Sequence, residues 1–155
     1  MDMENFAQRV EGLRPKLYRT AFCYLGSEAA ALDALDEAVY RGLKSLGKLR
    51  QPEYFDTWMT RILLNECSRE RKRMNRFRPL EELAEQSDEA FDDLPLQEAI
   101  RKLPKELEDV VILRFFSGYT QSETAQALQI PQGTVATRQR RALQLLKLEL
   151  EEANV

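Results

Sequence analysis

Phe6, Val10, Leu13, Leu17, Ala21 and Leu25 recur at intervals of three and four residues, the spacing of a helix that buries one face. Pro15 interrupts this stripe, and its ring displaces the carbonyl one turn back, so a kink or a division is predicted near mid-helix. Gly26-Ser27 supplies a stop and then an N-cap. Leu32, Leu35, Val39, Leu43 and Leu46 form a second stripe, which ends in the break from Gly47 to Pro52. Phe55, Trp58, Met59, Ile62 and Leu63 open a third. A three-helix module follows, with Lys48–Tyr54 as its longest exposed connection.

The pattern then changes twice. From Pro79 to Asp93 it loses its period and turns acidic, which reads as a tether with at most a turn or two of helix around Leu80–Ala84. Leu96, Ile100 and Leu103 lead to Pro104, and Leu107, Val110, Val111 and Leu113 to Phe116 follow it up to Gly118. Thr120 with Glu123 three residues on is a capping box that opens a short helix through Ala125 to Leu128. Gln129-Ile130-Pro131-Gln132-Gly133 is a turn, and a long helix begins near Thr134. This is helix-turn-helix spacing, with small Ala125 permitting a close crossing. On the long helix Val135, Ala142, Leu145, Leu146 and Leu150 share the inward stripe, while Thr137, Arg138, Arg140, Arg141 and Gln144 face outward. Arginines near the start of such a helix reach guanine edges and flanking phosphates in a major groove.

Composition sharpens this. The 155 residues are 43% hydrophobic and 32% charged, a helix-rich globular profile and not a disordered one. No apolar run is long enough to span a bilayer, and the start Met1-Asp2-Met3-Glu4 lacks a leader's basic and apolar stretches, so the cytoplasm is expected. With no histidine and no phosphate-cradling glycine loop, catalysis, a metal site and a bound cofactor are not expected. Cys23 and Cys67 are far apart in apolar contexts and read as reduced core thiols, ahead of a disulfide or metal site. The net charge of −3 hides a division: residues 1–78 carry +4, 79–99 carry −8 and 100–155 carry +1. The expected architecture is all-α: two small helical domains, 1–78 and 95–155, joined by an acidic linker at 79–94. The run Arg69-Glu70-Arg71-Lys72-Arg73-Met74-Asn75-Arg76-Phe77-Arg78 holds more cations than a helix dipole calls for, which points to a polyanion contact.

Leu103-Pro104, Val110-Val111-Ile112-Leu113-Arg114-Phe115-Phe116 and Gly133-Thr134-Val135 with Arg138 and Arg141-Ala142 closely resemble region 4 of the sigma-70 family. Asp33-Ala34-Leu35-Asp36-Glu37, and Trp58-Met59-Thr60-Arg61-Ile62-Leu63-Leu64-Asn65 followed by Arg71-Lys72-Arg73, resemble region 2. The two sets stand in the family's order with no further family region between or before them, the layout of an extracytoplasmic-function (group IV) RNA polymerase sigma factor. The resemblance implies a core-polymerase surface at Asp33, Asp36 and Glu37, docking on the clamp of the largest subunit. It implies a −10 reader in the Lys48–Tyr54 loop and the following helix, at Lys48, Arg61, Asn65, Arg69, Arg71, Lys72 and Arg73. There a single-stranded base would be captured against polar groups. It implies a −35 reader at Thr134, Thr137, Arg138, Arg140 and Arg141, near the flap of the second-largest subunit. The acidic segment corresponds to the one threaded through the RNA exit path. Trp58 is a candidate melting wedge, but its place in the Phe55/Ile62 stripe favours the core. An anti-sigma partner and a stress-response role are further implications of the family.

The sequence departs from the family at Asp36, where Gln is common, and at Ala136, where many members carry Lys or Arg; Arg140 stands nearby. Two other classes compete. A stand-alone helix-turn-helix regulator with a sensing or dimerising N-terminal half leaves the first motif set without purpose. A helical adaptor leaves Gly133–Ala142 unexplained. Non-specific DNA affinity comes from neutralised phosphates, and a +1 lobe beside a −8 segment offers little of it. We therefore expect the free protein to bind promoter DNA weakly at about 0.15 M salt, where screening acts over about 8 Å. A gel shift in the nanomolar range by the free protein would contradict this.

Overall fold

Asp2 starts the first helix by accepting the Asn5 amide at 2.8 Å, and α1 then runs Met3–Leu25. The computed structural model describes residues 1–77 and 94–153, which fall into two units, each with its own core. Pro15 neither ends nor divides α1. It is exposed, and buried Leu13 and Leu17 on either side tie both halves of the helix to one core. Gly26 closes α1 in the left-handed region, φ 65°, with its amide on the Phe22 carbonyl at 2.8 Å. Ser27 then caps α2, Glu28–Lys44, as expected.

Helix α2 buries a different face from the one its leucines suggest. Ala30, Ala31, Ala34, Leu35, Ala38 and Gly42 are inside; Leu32 is exposed, and Val39, Leu43 and Leu46 are half-buried. Small side chains let helix axes approach closely. At Gly42 a Cβ would stand 2.9 Å from Met59 Sδ. Facing them on α3, Phe55–Phe77, are fully buried Phe55, Met59 and Leu63, with Leu64, Cys67 and Met74 further along. Phe6 meets Phe55 edge to face at 5.8 Å between ring centres. Each such large side chain contributes about 1.5–3 kcal/mol of burial. Trp58 is half-buried, tilted against Phe55 at 5.9 Å, so it is a core margin and not a core centre. Cys23 and Cys67 are buried and are not joined in a disulfide.

The connection between α2 and α3 holds two short 3-10 turns, Leu46–Lys48 and Pro52–Tyr54. Arg9 of α1 pins it. Its guanidinium donates to the Pro52 carbonyl at 3.3 Å, pairs with Asp56 at 3.2 Å and lies 4.9 Å from the Phe55 ring centre.

The second unit begins with α4, Leu94–Lys102, and α5, Lys105–Val111, parted by Pro104. The sequence expectation for the acidic segment falls on residues outside the described ones. Past α5 the chain widens into a π turn, Ile112–Phe116, with the Ser117 amide reaching back to the Ile112 carbonyl at 2.9 Å. Gly118 turns the chain at φ 78°. The capping box forms in full: Glu123 N to Thr120 Oγ1 is 3.1 Å and Thr120 N to Glu123 Oε1 is 2.9 Å, opening α6, Gln121–Leu128. Gln129 ends α6 in the left-handed region, φ 57°, and the Ile130 amide returns to the Ala125 carbonyl at 3.0 Å.

The long helix α7, Gln132–Ala153, starts two residues before the position read from the sequence. Pro131 is the reason: its fixed φ suits a helix entry, and its carbonyl accepts the Thr134 and Val135 amides. The sharp bend therefore lies at Gln129, and Gly133 sits in the first helical turn. Val110, Ala125 and Val135 form the buried centre, with Leu128 and Ile130 packed against it.

Two glycines test the packing account. Gly12 has open space around its Cβ position, so Gly12→Ala should stabilise by about 0.5–1 kcal/mol through helix propensity. Gly42→Leu should destabilise by about 1–3 kcal/mol by overpacking against Met59. Urea-unfolding midpoints check both, and equal effects would contradict the close α2–α3 contact.

Candidate nucleic-acid interface

Arg61, Asn65, Arg69 and Lys72 step by three and four along α3 and are all exposed, so this helix presents one polar stripe outward. Asn65 and Arg69 line an open cleft of about 390 Å³ with Tyr40, Arg41 and Lys44 of α2. The Lys44 ammonium lies 5.2 Å from the Tyr40 ring centre. Lys48 is exposed in the first 3-10 turn, on the connection and not on this stripe.

Asp33, Asp36 and Glu37 are exposed along the outer side of α2. They border a second cleft, which also receives Glu70 and Arg73. Cations offset part of this acidic edge. Arg14 reaches Asp36 at 3.5 Å, and Arg41 meets Glu37 at 3.1 Å. Arg41 also meets Glu66 at 2.8 Å, and Arg69 meets the same oxygen of Glu66 at 3.0 Å. Glu66 is only 6% exposed, and those two guanidinium groups offset the cost of its burial. Arg73 donates to Glu70 at 2.6 Å; that hydrogen bond and Glu70's charge hold its guanidinium protonated above the usual range, with a small further contribution from Asp33.

Arg71 is placed apart from its neighbours. It lies on the inner side of α3 between Cys67 and Met74, and donates to the Tyr24 carbonyl through Nε at 3.2 Å and a terminal nitrogen at 2.6 Å. Its guanidinium also lies 5.4 Å from the Tyr24 ring centre. That carbonyl belongs to the last turn of α1, where no intrahelical donor remains, so Arg71 caps a helix C-terminus.

In the second unit Thr134, Arg138 and Arg141 lie on one side of α7, at spacings of four and three. Arg140 and Arg141 are exposed, and Thr134 and Arg138 half-buried. Thr137 is exposed, with its hydroxyl donating to the Gly133 carbonyl at 3.0 Å. The residues expected to read DNA thus fall in the first three turns of a helix that follows a capped helix and a tight turn. This is the arrangement that lets a second helix lie in a major groove.

Arg9, Arg41, Glu66 and Gln139 were not singled out from the sequence. Arg41 stands four residues after Glu37, a readable helix pair, whereas its partner Glu66 is 25 residues away with no local sign. Among the described residues no helix is long and apolar enough to cross a membrane.

Comparison with known proteins decides the family. A Sigma-70 region 2 model matches residues 9–77, and a Sigma-70 region 4 model matches residues 93–146. The RNA polymerase sigma factor SigV of Bacillus subtilis is 29% identical over 143 residues, covering 89% of this chain and 86% of its own. The chain belongs to the sigma-70 family, of the extracytoplasmic-function type. A second relative, the ECF RNA polymerase sigma factor SigW of Bacillus subtilis, is 27% identical over 171 residues, with 97% and 91% of the two chains covered. The fold matches that of CnrH in complex with the cytosolic domain of CnrY, with TM-score 0.74, 23% identity and coverage of 97% and 90%. It also matches RpoE of Bartonella quintana in complex with the anti-sigma factor NepR, with TM-score 0.72, 21% identity and coverage of 96% and 98%. As a sigma factor the chain is not an enzyme: it binds core polymerase and directs it to promoters, and the polymerase performs the chemistry. The stand-alone regulator is not favoured, since region 2 accounts for the first unit.

The placement of Arg71 carries a prediction. Arg71→Ala leaves the Tyr24 carbonyl without its charged donor and should cost about 1.5–3 kcal/mol, whereas exposed Lys72→Ala should stay within about 0.5 kcal/mol. Thermal or urea unfolding separates the two, and equal midpoints would contradict the capping role.

Proposed function

We propose that this sigma factor divides its work between residues 1–78 and 95–155, with the acidic stretch 79–94 between them. The first unit meets the clamp of the polymerase's largest subunit through Asp33, Asp36 and Glu37. It reads the −10 element through Lys48, Arg61, Asn65, Arg69, Lys72 and Arg73. Arg71 serves that reader indirectly, by holding α3 against α1. The second unit meets the flap of the second-largest subunit and reads the −35 element through Thr134, Thr137, Arg138, Arg140 and Arg141. The protein acts in the cytoplasm with the polymerase, in a stress response. The two solved relatives sit in complexes with the cytosolic domain of CnrY and with the anti-sigma factor NepR, which supports an anti-sigma partner for this chain as well.

The observation that carries this reading is the separation of roles on each helix. Helices α3 and α7 bury one side in a complete core and turn polar and cationic groups outward on the other. Each unit alone offers DNA a small contact. Held at fixed spacing by the polymerase, two weak contacts act as one, with a gain of about 10²–10⁴.

Substitutions test the assignments one by one. Arg138→Ala or Arg141→Ala should weaken −35 use by about 1–3 kcal/mol in transcription from consensus against altered promoters. Asn65→Ala should impair open-complex formation, read by permanganate footprinting, while core affinity is kept. Asp33→Arg and Glu37→Arg should abolish core association. Unchanged −35 use in both arginine variants would remove those residues from the reader, and equal loss of core binding and melting in Asn65→Ala would point to misfolding.

A further inference from the structure

The inward stripe of α7 runs Val135, Ala142 and Leu146, and its spacing places residue 139 between the first two. That position is occupied by Gln139, a half-buried polar residue where the pattern asks for an apolar one. Its Oε1 accepts two hydrogen bonds, from Arg114 Nε at 3.0 Å and from Gln121 Nε2 at 3.3 Å. Arg114 belongs to the π turn Ile112–Phe116, and its NH1 also donates to the Tyr119 carbonyl at 2.6 Å, one residue before the capping box. Gln121 is the first residue of α6. One side-chain oxygen therefore ties the long helix to the turn before α6 and to the N-terminus of α6 itself.

The choice of a polar joint has a geometric consequence. Apolar contact has no preferred direction, and the fully buried side chains of α6 are small, Thr124, Ala125 and Ala127, with Leu128 half-buried at the edge. Small flat contacts allow one helix to roll or slide on another. Two hydrogen bonds to one oxygen restrict both motions, because their strength falls steeply off axis. In a helix-turn-helix the first helix crosses the phosphate backbone while the second places its N-terminal side chains on base edges. The joint at Gln139 fixes the offset between those two contacts. A reading group must be held within about 0.5 Å of its productive position to discriminate.

We propose that Gln139 is a positioning residue that determines −35 specificity, acting by locking α7 against Arg114 and Gln121 without itself needing to touch a base. This rests on the reading that α7 enters the −35 duplex. The residue acts on discrimination between sequences more than on affinity. Replacing it with leucine completes the apolar stripe and removes the shared acceptor; replacing it with glutamate keeps the acceptor and adds a charge.

The test uses the full chain with core polymerase, on a consensus promoter and on a set with single −35 substitutions. The quantity read is the ratio of transcription between consensus and variants. Gln139→Leu should unfold at an unchanged or higher temperature, yet its ratio should fall about fivefold or more, the equivalent of one lost base-reading contact. Gln139→Glu should keep the ratio while activity on every promoter falls together, since an added carboxylate opposes phosphate uniformly. Gln121→Leu leaves the stripe untouched and removes one of the two donors; it should lower the ratio less, and add nothing on a Gln139→Leu background. An unchanged ratio in Gln139→Leu overturns the proposal, and so does a Gln121→Leu chain with full discrimination should Gln139→Leu fail to fold. Arg138→Ala and Arg141→Ala in the same assay tell the two failures apart. If they lower −35 use and Gln139→Leu does not, only the positioning role is lost. If they too leave it unchanged, the reading of α7 falls and the proposal with it.

Discussion

The close approach of α2 to its neighbours is the constraint from which the first unit's surface follows. Alanines and Gly42 on one side of α2 bring it near enough to α3 for Gly42 to leave no room beside Met59. At that distance the polar edges of the two helices also meet. Arg41 reaches across to Glu66, Arg69 reaches Glu66 from its own helix, and the acidic edge of α2 borders the cations of α3. A wider spacing filled by leucines would take Arg41 away and leave buried Glu66 with only Arg69 of its own helix to offset its burial, which is costly. Close packing thus makes a surface on which an acidic strip and a cationic strip lie side by side. A protein that must hold a polymerase and a DNA strand at once needs such adjacency.

The second unit reaches order by different means. Apart from the long α7 its helices are short, and short helices depend on their ends. The capping box at Thr120 and Glu123, the left-handed Gln129 and the entry at Pro131 each satisfy backbone groups that the short helices leave open. The Arg114–Gln139–Gln121 joint then adds direction where apolar contact is slight. Burial supplies the stability of this unit, and hydrogen bonds at the ends and the joint set its geometry.

Much of this is legible in the sequence because it is local. The capping box, the Gly26-Ser27 boundary and the Val135/Ala142 stripe all rest on neighbours within a turn or two, and all appear in the structure. What depends on distant partners is not legible. The leucines of α2 look like its buried face, but which face is buried was decided by how closely α1 and α3 approach, and that depends on small residues whose periodicity carries little hydrophobic signal. Arg71 reads as one cation in a basic run, since nothing local marks the Tyr24 carbonyl 47 residues away as its partner. Pro15 is the reverse case. Its local preference is plain, yet burial of Leu13 and Leu17 carries the helix through it. Gln139 did leave a local sign, a polar residue in an apolar stripe, whose meaning comes only with its partners.

The function follows from incompleteness. Each unit closes its own core and exposes a modest polar and cationic face, and the −8 of residues 79–99 works against unaided attraction to DNA. Recognition then has to be assembled on a partner that sets the spacing of the two faces. Run-off transcription with purified core polymerase, with and without this protein, on a promoter carrying both elements tests that claim most directly. The account predicts a transcript that requires the protein and disappears when either element is altered. A protein that binds the promoter tightly by itself, forms no complex with core polymerase and yields no transcript would contradict it.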